Sequence, residues 1–455
     1  MTEKEKFQRA FAPLHASPDT MTEVMKMTER KTKRPALRRA ATIGLAAALV
    51  REEEWPYALP DGWKWVRLLG GAATCMDNKR KPVNSKERAN RIGEIPYYGA
   101  TGQVGWIDEY LTNEELILLG EDGAPFLDIL KTKAYIINGK SWVNNHAHIL
   151  KSFMGHIGNL YLMYYLNNFD YRKYVSGTTR LKLTQGKMKN IPVPYPPLSE
   201  QHRLVARIES LFAKLDAARE KVQSVLDSHE TRKAALLHDA FTGKLTARWQ
   251  EEHNLSYNEW HLVCIKDICH SLKYGTAKKS EASGRYVVIR MGNLFDGEIL
   301  WDNLAYSNDS EDIEKYQLTP GDVLFNRTNS AALVGKTSIY RGDYPAIYAG
   351  YIIKLDYDRQ AIDGEFLNYV MNSPCAKAYC NKVKTDGVNQ SNINAKKIGA
   401  FQFKLPSLPE QQEIVRILGR LLAREQRARQ AAEETLAAID RMKQSILARA
   451  FRGEL

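Results

Sequence analysis

The apolar positions of this chain follow two patterns. Between residues 204 and 225 they recur as Leu204, Ile208, Leu211, Leu215, Ala218, Val222 and Val225. Steps of four and three alternate, which puts all seven on one helical stripe, the seam of a left-handed coiled coil. A proline-rich run, Ile191 to Pro197, stops whatever precedes; Ser199 can cap the first turn, and Glu200 suits the positive helix end. A second, less regular stripe passes through Val415, Leu418, Leu422, Ala432, Leu436, Ile439, Ile446 and Ala450. Phe241 and Phe451 close the two segments, and Gly243 and Gly453 stand where helices stop. Each helix of ~40 residues predicts a rod of ~60 Å. One such stripe does not stay in water, so the two are expected to pack antiparallel as a rigid spacer.

The other pattern is short and β-prone. Tyr135-Ile136-Ile137, Tyr286-Val287-Val288-Ile289, Asp322-Val323-Leu324-Phe325, Ala346-Ile347-Tyr348 and Tyr351-Ile352-Ile353 are separated by glycine-rich turns. They predict a mixed α/β (α+β) globule rich in strand over 56–195 and a second over 255–405. Helical spacers are expected over 196–250 and 406–455. A basic N-terminal arm with an Ala-rich helix is expected over 1–55, its apolar part being Ile43 to Val50. That part is far short of the ~20 residues a spanning helix needs, and Arg51-Glu52-Glu53-Glu54 follows it instead of a small-residue cleavage site.

The order globule, helix, globule, helix is a repeat. Adding 210 to a residue number aligns Pro196-Pro197-Leu198-Ser199-Glu200-Gln201 with Pro406-Ser407-Leu408-Pro409-Glu410-Gln411, and the register holds without a gap to Phe451. Upstream, Gly177-Thr178-Thr179-Arg180-Leu181-Lys182-Leu183 and Gly387-Val388-Asn389-Gln390-Ser391-Asn392-Ile393 keep the same offset. The globules between have diverged, although Trp63-Lys64-Trp65-Val66 resembles Trp260-His261-Leu262-Val263.

Composition changes the picture only through charge. A net charge of +12 and 26% charged residues fit a globular protein with a polyanionic partner. Five cysteines, Cys75, Cys264, Cys269, Cys375 and Cys380, are too few and odd in number for a disulfide framework and suit a reducing, cytoplasmic setting. No histidine cluster stands beside them at zinc-site spacing, so no metal site is expected. Catalytic signatures do not turn up either. The one Pro-Pro follows Tyr195 and opens a helix, where an amino-methyltransferase needs an Asn/Asp-Pro-Pro-aromatic segment. Val334-Gly335-Lys336-Thr337 imitates the end of a P-loop, but Ser330 replaces its first glycine.

The helix starts at 197–201 and 407–411, Ala-Phe-x-Gly-x-Leu at both helix ends, Ile95-Pro96-Tyr97-Tyr98-Gly99-Ala100-Thr101-Gly102, and Gly321-Asp322-Val323-Leu324-Phe325-Asn326-Arg327-Thr328-Asn329 occur in that organisation. Over about residues 56–455 the chain resembles the specificity subunits of type I restriction-modification enzymes. The resemblance implies a non-catalytic subunit whose two target-recognition domains each read one half of a split, asymmetric double-stranded DNA target. It implies two modification methyltransferase subunits, carrying S-adenosylmethionine for adenine methylation, docked on the helices that bear Leu204, Ile208, Leu211, Phe241, Leu418, Leu422 and Phe451. Two restriction translocase-nuclease subunits, using ATP and Mg2+, join them in the restriction form. No cofactor is implied on this chain and no membrane contact. A diverged methyltransferase or nuclease and a coiled-coil scaffold without a DNA role stay open as alternatives.

Base readout needs Arg for guanine and Asn or Gln for adenine, carried on loops. The candidates in the second globule are Asn326, Arg327, Thr328 and Asn329, with Asn389, Gln390, Ser391 and Asn392; turn chemistry explains the same residues. Lys278, Lys279 and Arg290 are phosphate candidates. In the first globule, Lys79, Arg80 and Lys81 are expected at phosphate, though a basic run also suits a solvated face. Tyr97, Tyr98 and Thr101 lie in a Gly-bounded turn, where the tyrosines fit a core role equally well. Thr178, Thr179, Arg180 and Lys182 match the amide-rich loop by repeat position. Trp142 and Trp301 are assigned to packing.

Overall fold

The computed structural model describes residues 48–455, which fall into two compact units. Unit 1 comprises residues up to Leu215 together with Ile439–Leu455, and unit 2 is Asp216–Ala438.

In unit 1, β1 (Lys64–Arg67) pairs antiparallel with the late strand β10 (Pro192–Tyr195), closing the globule on itself. Between them lie β2 (Ala73–Cys75), β3 (Ile95–Tyr98), β4 (Gln103–Ile107), β5 (Thr112–Asn113), β6 (Leu116–Gly120), β7 (Ala134–Ile137), β8 (Lys140–Val143) and β9 (Ala147–Ser152). They form two four-stranded sheets, β2-β9-β6-β7 and β4-β3-β8-β5, the second with a parallel β3–β8 pair. Every residue of β6 is buried, as a central strand covered on both faces requires. Helix α1 (Gly155–Asn168) covers the first sheet with Tyr161, Leu162, Tyr165 and Leu166.

Unit 2 repeats this plan from a different sequence. Its β11 (His261–Cys264) pairs with its last strand β24 (Gln402–Leu405). One sheet joins β12 (Cys269–Tyr274), β21 (Ile352–Tyr357), β17 (Val323–Asn326) and β19 (Thr337–Ile339) in the order β12-β21-β17-β19. Another joins β16 (Tyr306–Ser307), β13 (Tyr286–Ile289) and β20 (Ala346–Tyr348), with β13–β20 parallel. A short hairpin pairs β14 (Leu294–Phe295) with β15 (Glu298–Ile299), and β18 (Thr328–Asn329) lies beside β23 (Ser391–Asn392) and β22 (Thr385–Asp386). The globules that look unrelated as text share their topology. Each is the expected strand-rich mixed α/β fold.

The two apolar stripes are helical, with one correction. The first is α2 (Leu198–Asp227) followed by α3 (His229–Phe241), broken at Ser228, where a continuous helix is expected. There the Ser228 hydroxyl donates back to the Ser224 carbonyl, and Arg232 donates to that hydroxyl and to the Val225 carbonyl. Such back-bonding bends helices. The second stripe is one helix, α4 (Leu408–Phe451). Gly243 (φ 76°) and Gly453 (φ 74°) terminate the two in the left-handed region that favours glycine.

Within each unit the helix ends run antiparallel. In unit 1, Leu204, Val205 and Ile208 of α2 share a core with Leu447, Ala450 and Phe451 of α4, and Phe451 meets Tyr161 and Tyr165 edge-on. In unit 2, Leu237 and Ala240 of α3 pack with Ile414 and Leu418 of α4, and Arg232 bonds Glu425 at 2.8 Å. Leu204, Ile208, Leu418 and Phe451 are therefore consumed by intramolecular packing and offer no surface to a partner. Leu211, Leu422 and Phe241 are half-buried, the last two against the unit 2 core.

Of the apolar part of the expected N-terminal helix only Ala48, Leu49 and Val50 lie among the described residues. Leu49 bridges Val66, and the Val50 amide bonds the Trp65 carbonyl; the rest of that apolar part lies outside the described residues. Among the described residues no helix is long and apolar enough to cross a membrane.

The repeat also diverges at the helix starts. Glu410 is 2% exposed and accepts from Thr246 (2.8 Å), Gln250 (2.6 Å) and Trp260 Nε1 (3.0 Å). Its counterpart Glu200 is partly exposed and pairs with Arg203 on its own helix. Glu410→Ala is expected to cost unit 2 about 2–4 kcal/mol, because three buried donors lose their acceptor. Glu200→Ala should cost under about 1 kcal/mol. Calorimetric midpoints of the two variants check the contrast, and equal losses would contradict it.

Candidate nucleic-acid interface

The candidate residues of unit 2 converge. Strand β17 ends at buried Asn326, whose side-chain oxygen accepts from the Thr328 amide and leaves Nδ2 without a partner. The chain then enters β18, which pairs Thr328 with Asn392 and Asn329 with Ser391, and Asn392 Nδ2 donates to the Thr328 hydroxyl at 2.7 Å. Two segments some sixty residues apart, each dense in amides and hydroxyls, thus make one small sheet. Asn389 and Gln390 stand exposed in the turn beside it.

Next to this sheet opens a cleft of about 830 Å³, lined by Lys278, Lys279, Arg290, Arg327 and Tyr351 among others. The four cations come from the turn after β12, the end of β13 and the end of β17, so the fold gathers them from separate stretches. Arg290 donates to the Asn303 carbonyl and Arg327 to that of Gly350, with the Arg327 guanidinium 4.9 Å from the Tyr274 ring. The Nε of each arginine is buried without a partner. Lys278 is less available: Asp309 at 2.8 Å holds its ammonium above the ordinary range, with Asp312 and Glu311 near. Such a basic, partly unsatisfied cleft suits an anion.

Unit 1 treats its candidates differently. Glu121 and Asp122, just past the end of β6, gather the cations. Arg80 pairs with Glu121 and with Asp77 (3.1 Å), Lys182 with Glu121 (3.2 Å), and Arg180 with Asp122 (2.9 Å). Lys79 pairs with Glu114 at 2.9 Å. Lys81 is exposed, with its ammonium 6.0 Å from the Trp142 ring. Arg80 is thus a half-buried structural cation rather than part of a free basic run. Tyr97 is a core residue, 1% exposed, with its hydroxyl on the Val83 backbone. Tyr98 is half-buried against Tyr135, and burial pushes its hydroxyl pKa up. Of that turn only Thr101 is exposed, as are Thr178 and Thr179. Trp142 is buried and Trp301 packs on the unit 2 core, as expected. Two exposed side chains escaped the sequence reading, Val104 and Trp106 on β4; their alternation with Gly105 is the only signal they carry.

Cys75, Asp77 and His148 bring three ligand-type atoms within 4.8 Å of one another. Two of the three are already bonded to each other, His148 and Asp77. His148 Nε2 donates to the Leu183 carbonyl at 2.8 Å, and Nδ1 faces Asp77 at 2.7 Å. Burial pushes the Asp77 carboxyl up, but the His148 bond and the Arg80 charge outweigh it and hold it below the usual range. Burial drives the Cys75 thiol up to about 11, away from the thiolate that binds metal. The P-loop imitation also lacks its helix, since Thr337 opens the buried strand β19.

A family model, described as the type I restriction modification DNA specificity domain, matches residues 60–226 and again 257–434. The chain belongs to the type I restriction enzyme specificity subunits. Among its relatives is the StySPI specificity subunit of Salmonella potsdam, 28% identical over 65% of each chain. The EcoKI specificity subunit of Escherichia coli K12 is 28% identical over 58% of each, and a putative specificity subunit of Haemophilus influenzae is 36% identical over 32% of this chain and 36% of that one. The chain thus matches less than two thirds of the length of each of these three relatives. Two solved structures share the fold. A chain from work on assembly and conformational transition of the type I R-M system superposes with a TM-score of 0.65, covering 88% of this chain and 100% of that one at 18% identity. The HsdS subunit of Thermoanaerobacter tengcongensis gives 0.54 at 19% identity with the same coverage.

For this specificity subunit the Cys75-Asp77-His148 cluster predicts indifference to metal. Neither EDTA nor added zinc should move its calorimetric midpoint; a rise with zinc would show that the cluster binds it.

Proposed function

We propose that this specificity subunit reads a split, asymmetric DNA target, one half in each globule, and carries no catalytic centre of its own. The cleft of unit 2 supports the reading most directly: four basic side chains, two with a buried unpartnered Nε, lie beside a sheet edge rich in amides. Phosphate contacts there would fix orientation, and the amides of Asn389 and Gln390 would face base edges. Two globules of one topology but different surface chemistry fit two different half-sites better than a palindrome.

The partners follow from the family. Two modification methyltransferase subunits, each with its own S-adenosylmethionine, methylate adenine after taking it out of the stack. Two translocase-nuclease subunits, with ATP and Mg2+, join for restriction. The helices set the gap between the half-sites. Partner docking falls to helix positions other than Leu204, Ile208, Leu418 and Phe451, because these are buried within the units.

Two measurements test this. The purified chain alone should transfer no methyl group from labelled S-adenosylmethionine to DNA, whereas it should support transfer once the modification subunits are added; transfer by the chain alone would reveal an enzyme. Exchanging residues 56–195 for another recognition domain should change one half of the methylated motif and spare the other, as read from a methyladenine map. A change in both halves would sink the two-reader model.

A further inference from the structure

Backbone hydrogen bonds put the two units into register where their sequences do not. In unit 1 the Glu121 amide donates to the His146 carbonyl (2.8 Å) and the Leu183 amide to the Glu121 carbonyl (2.7 Å). In unit 2 the Arg327 amide donates to the Tyr351 carbonyl (3.1 Å) and the Ile393 amide to the Arg327 carbonyl (2.8 Å). Glu121 and Arg327 therefore occupy one position of the fold, and Asn145 and Gly350 another, each one residue before the acceptor. Both of these latter carbonyls receive a guanidinium: Arg80 Nη1 reaches Asn145 at 3.3 Å, and Arg327 Nη1 lies 3.5 Å from Gly350. The same place is filled by an arginine in both units, from the turn after β2 in one and from the end of β17 in the other.

The surroundings carry opposite charge. Arg80 lies between the carboxylates of Glu121 and Asp77 and also donates to the Ala147 carbonyl (3.2 Å). Among the described residues no carboxylate is in ion-pair reach of Arg327, which has the Tyr274 ring on one side, a buried unpartnered Nε, and the cleft with Lys279 and Arg290 in front. A half-buried guanidinium with no counter-charge and an unmet N–H is the arrangement that a phosphate oxygen relieves, since the fork of an arginine matches it in two bonds.

We infer that this place is a DNA-phosphate site in unit 2 and a closed, self-neutralised ion pair in unit 1, so that the chain grips the DNA backbone unequally in its two halves. The inference rests on the reading of the chain as a duplex reader and assigns Arg327 to the backbone instead of to a base. The test uses the chain assembled with its modification subunits and measures affinity for target and non-target duplexes from about 50 to about 200 mM salt. Arg327→Gln and Arg327→Ala should each lower the slope of log affinity against log salt by about one. Both duplexes should weaken alike and the methylated motif should stay the same, while Arg327→Lys retains the slope. Arg80→Ala should lower the calorimetric midpoint and leave the slope alone. An unchanged slope in Arg327→Gln, an equal fall in Arg80→Ala, or a relaxed base preference in the second half-site would each overturn the inference and leave the duplex reader standing. Salt-independent duplex binding by the parent complex would instead overturn that reading.

Discussion

The two units depend on one constraint: neither globule buries its core without helix ends brought from elsewhere in the chain. Tyr161 and Tyr165 of unit 1 are covered by Phe451, which lies almost three hundred residues further on, and Leu204 and Ile208 lie in the same apolar cluster as Leu447 and Ala450. Unit 2 makes the same arrangement from Leu237, Ala240, Ile414 and Leu418. Burial of large apolar side chains is the dominant favourable contribution to folding. These contacts therefore make each globule and its pair of helix ends a single cooperative body.

That constraint explains what the sequence reveals and what it hides. The stripe from Leu204 onward is legible because a helix repeats on a fixed period and the second copy keeps the offset of 210. The bend at Ser228 is not, because it arises from a hydroxyl turning back on its own helix without disturbing the apolar spacing. Strand-prone runs such as Asp322 to Phe325 announce the globules, yet their shared topology is written in backbone pairings that diverged side chains leave intact. Long-range pairing is equally invisible at the N-terminal side, where Leu49 and Val50 bond to Val66 and Trp65 although nothing in their own text announces a strand partner.

The candidate site divides along similar lines. The amide-rich segments at 326–329 and 389–392 stand out because turns and readers draw on the same residue types, and the structure unites part of both in one sheet. Arg80 misleads because the acids that neutralise it are remote in sequence or of no evident pattern; Glu121 is forty-one residues away. Tyr97 misleads because a Gly-bounded turn follows it, whereas its side chain points inward from β3. A basic run has meaning only once the carboxylates facing it are known, and these come from other strands.

The wrapping of α4 through both units has a consequence for biosynthesis. Unit 2 draws on residues up to Ala438, whereas unit 1 lacks Leu447, Ala450 and Phe451 until these leave the ribosome. The half of the chain made first is thus finished last. A message truncated just before those residues leaves the earlier-made reader with an open core, while the later-made one is already whole.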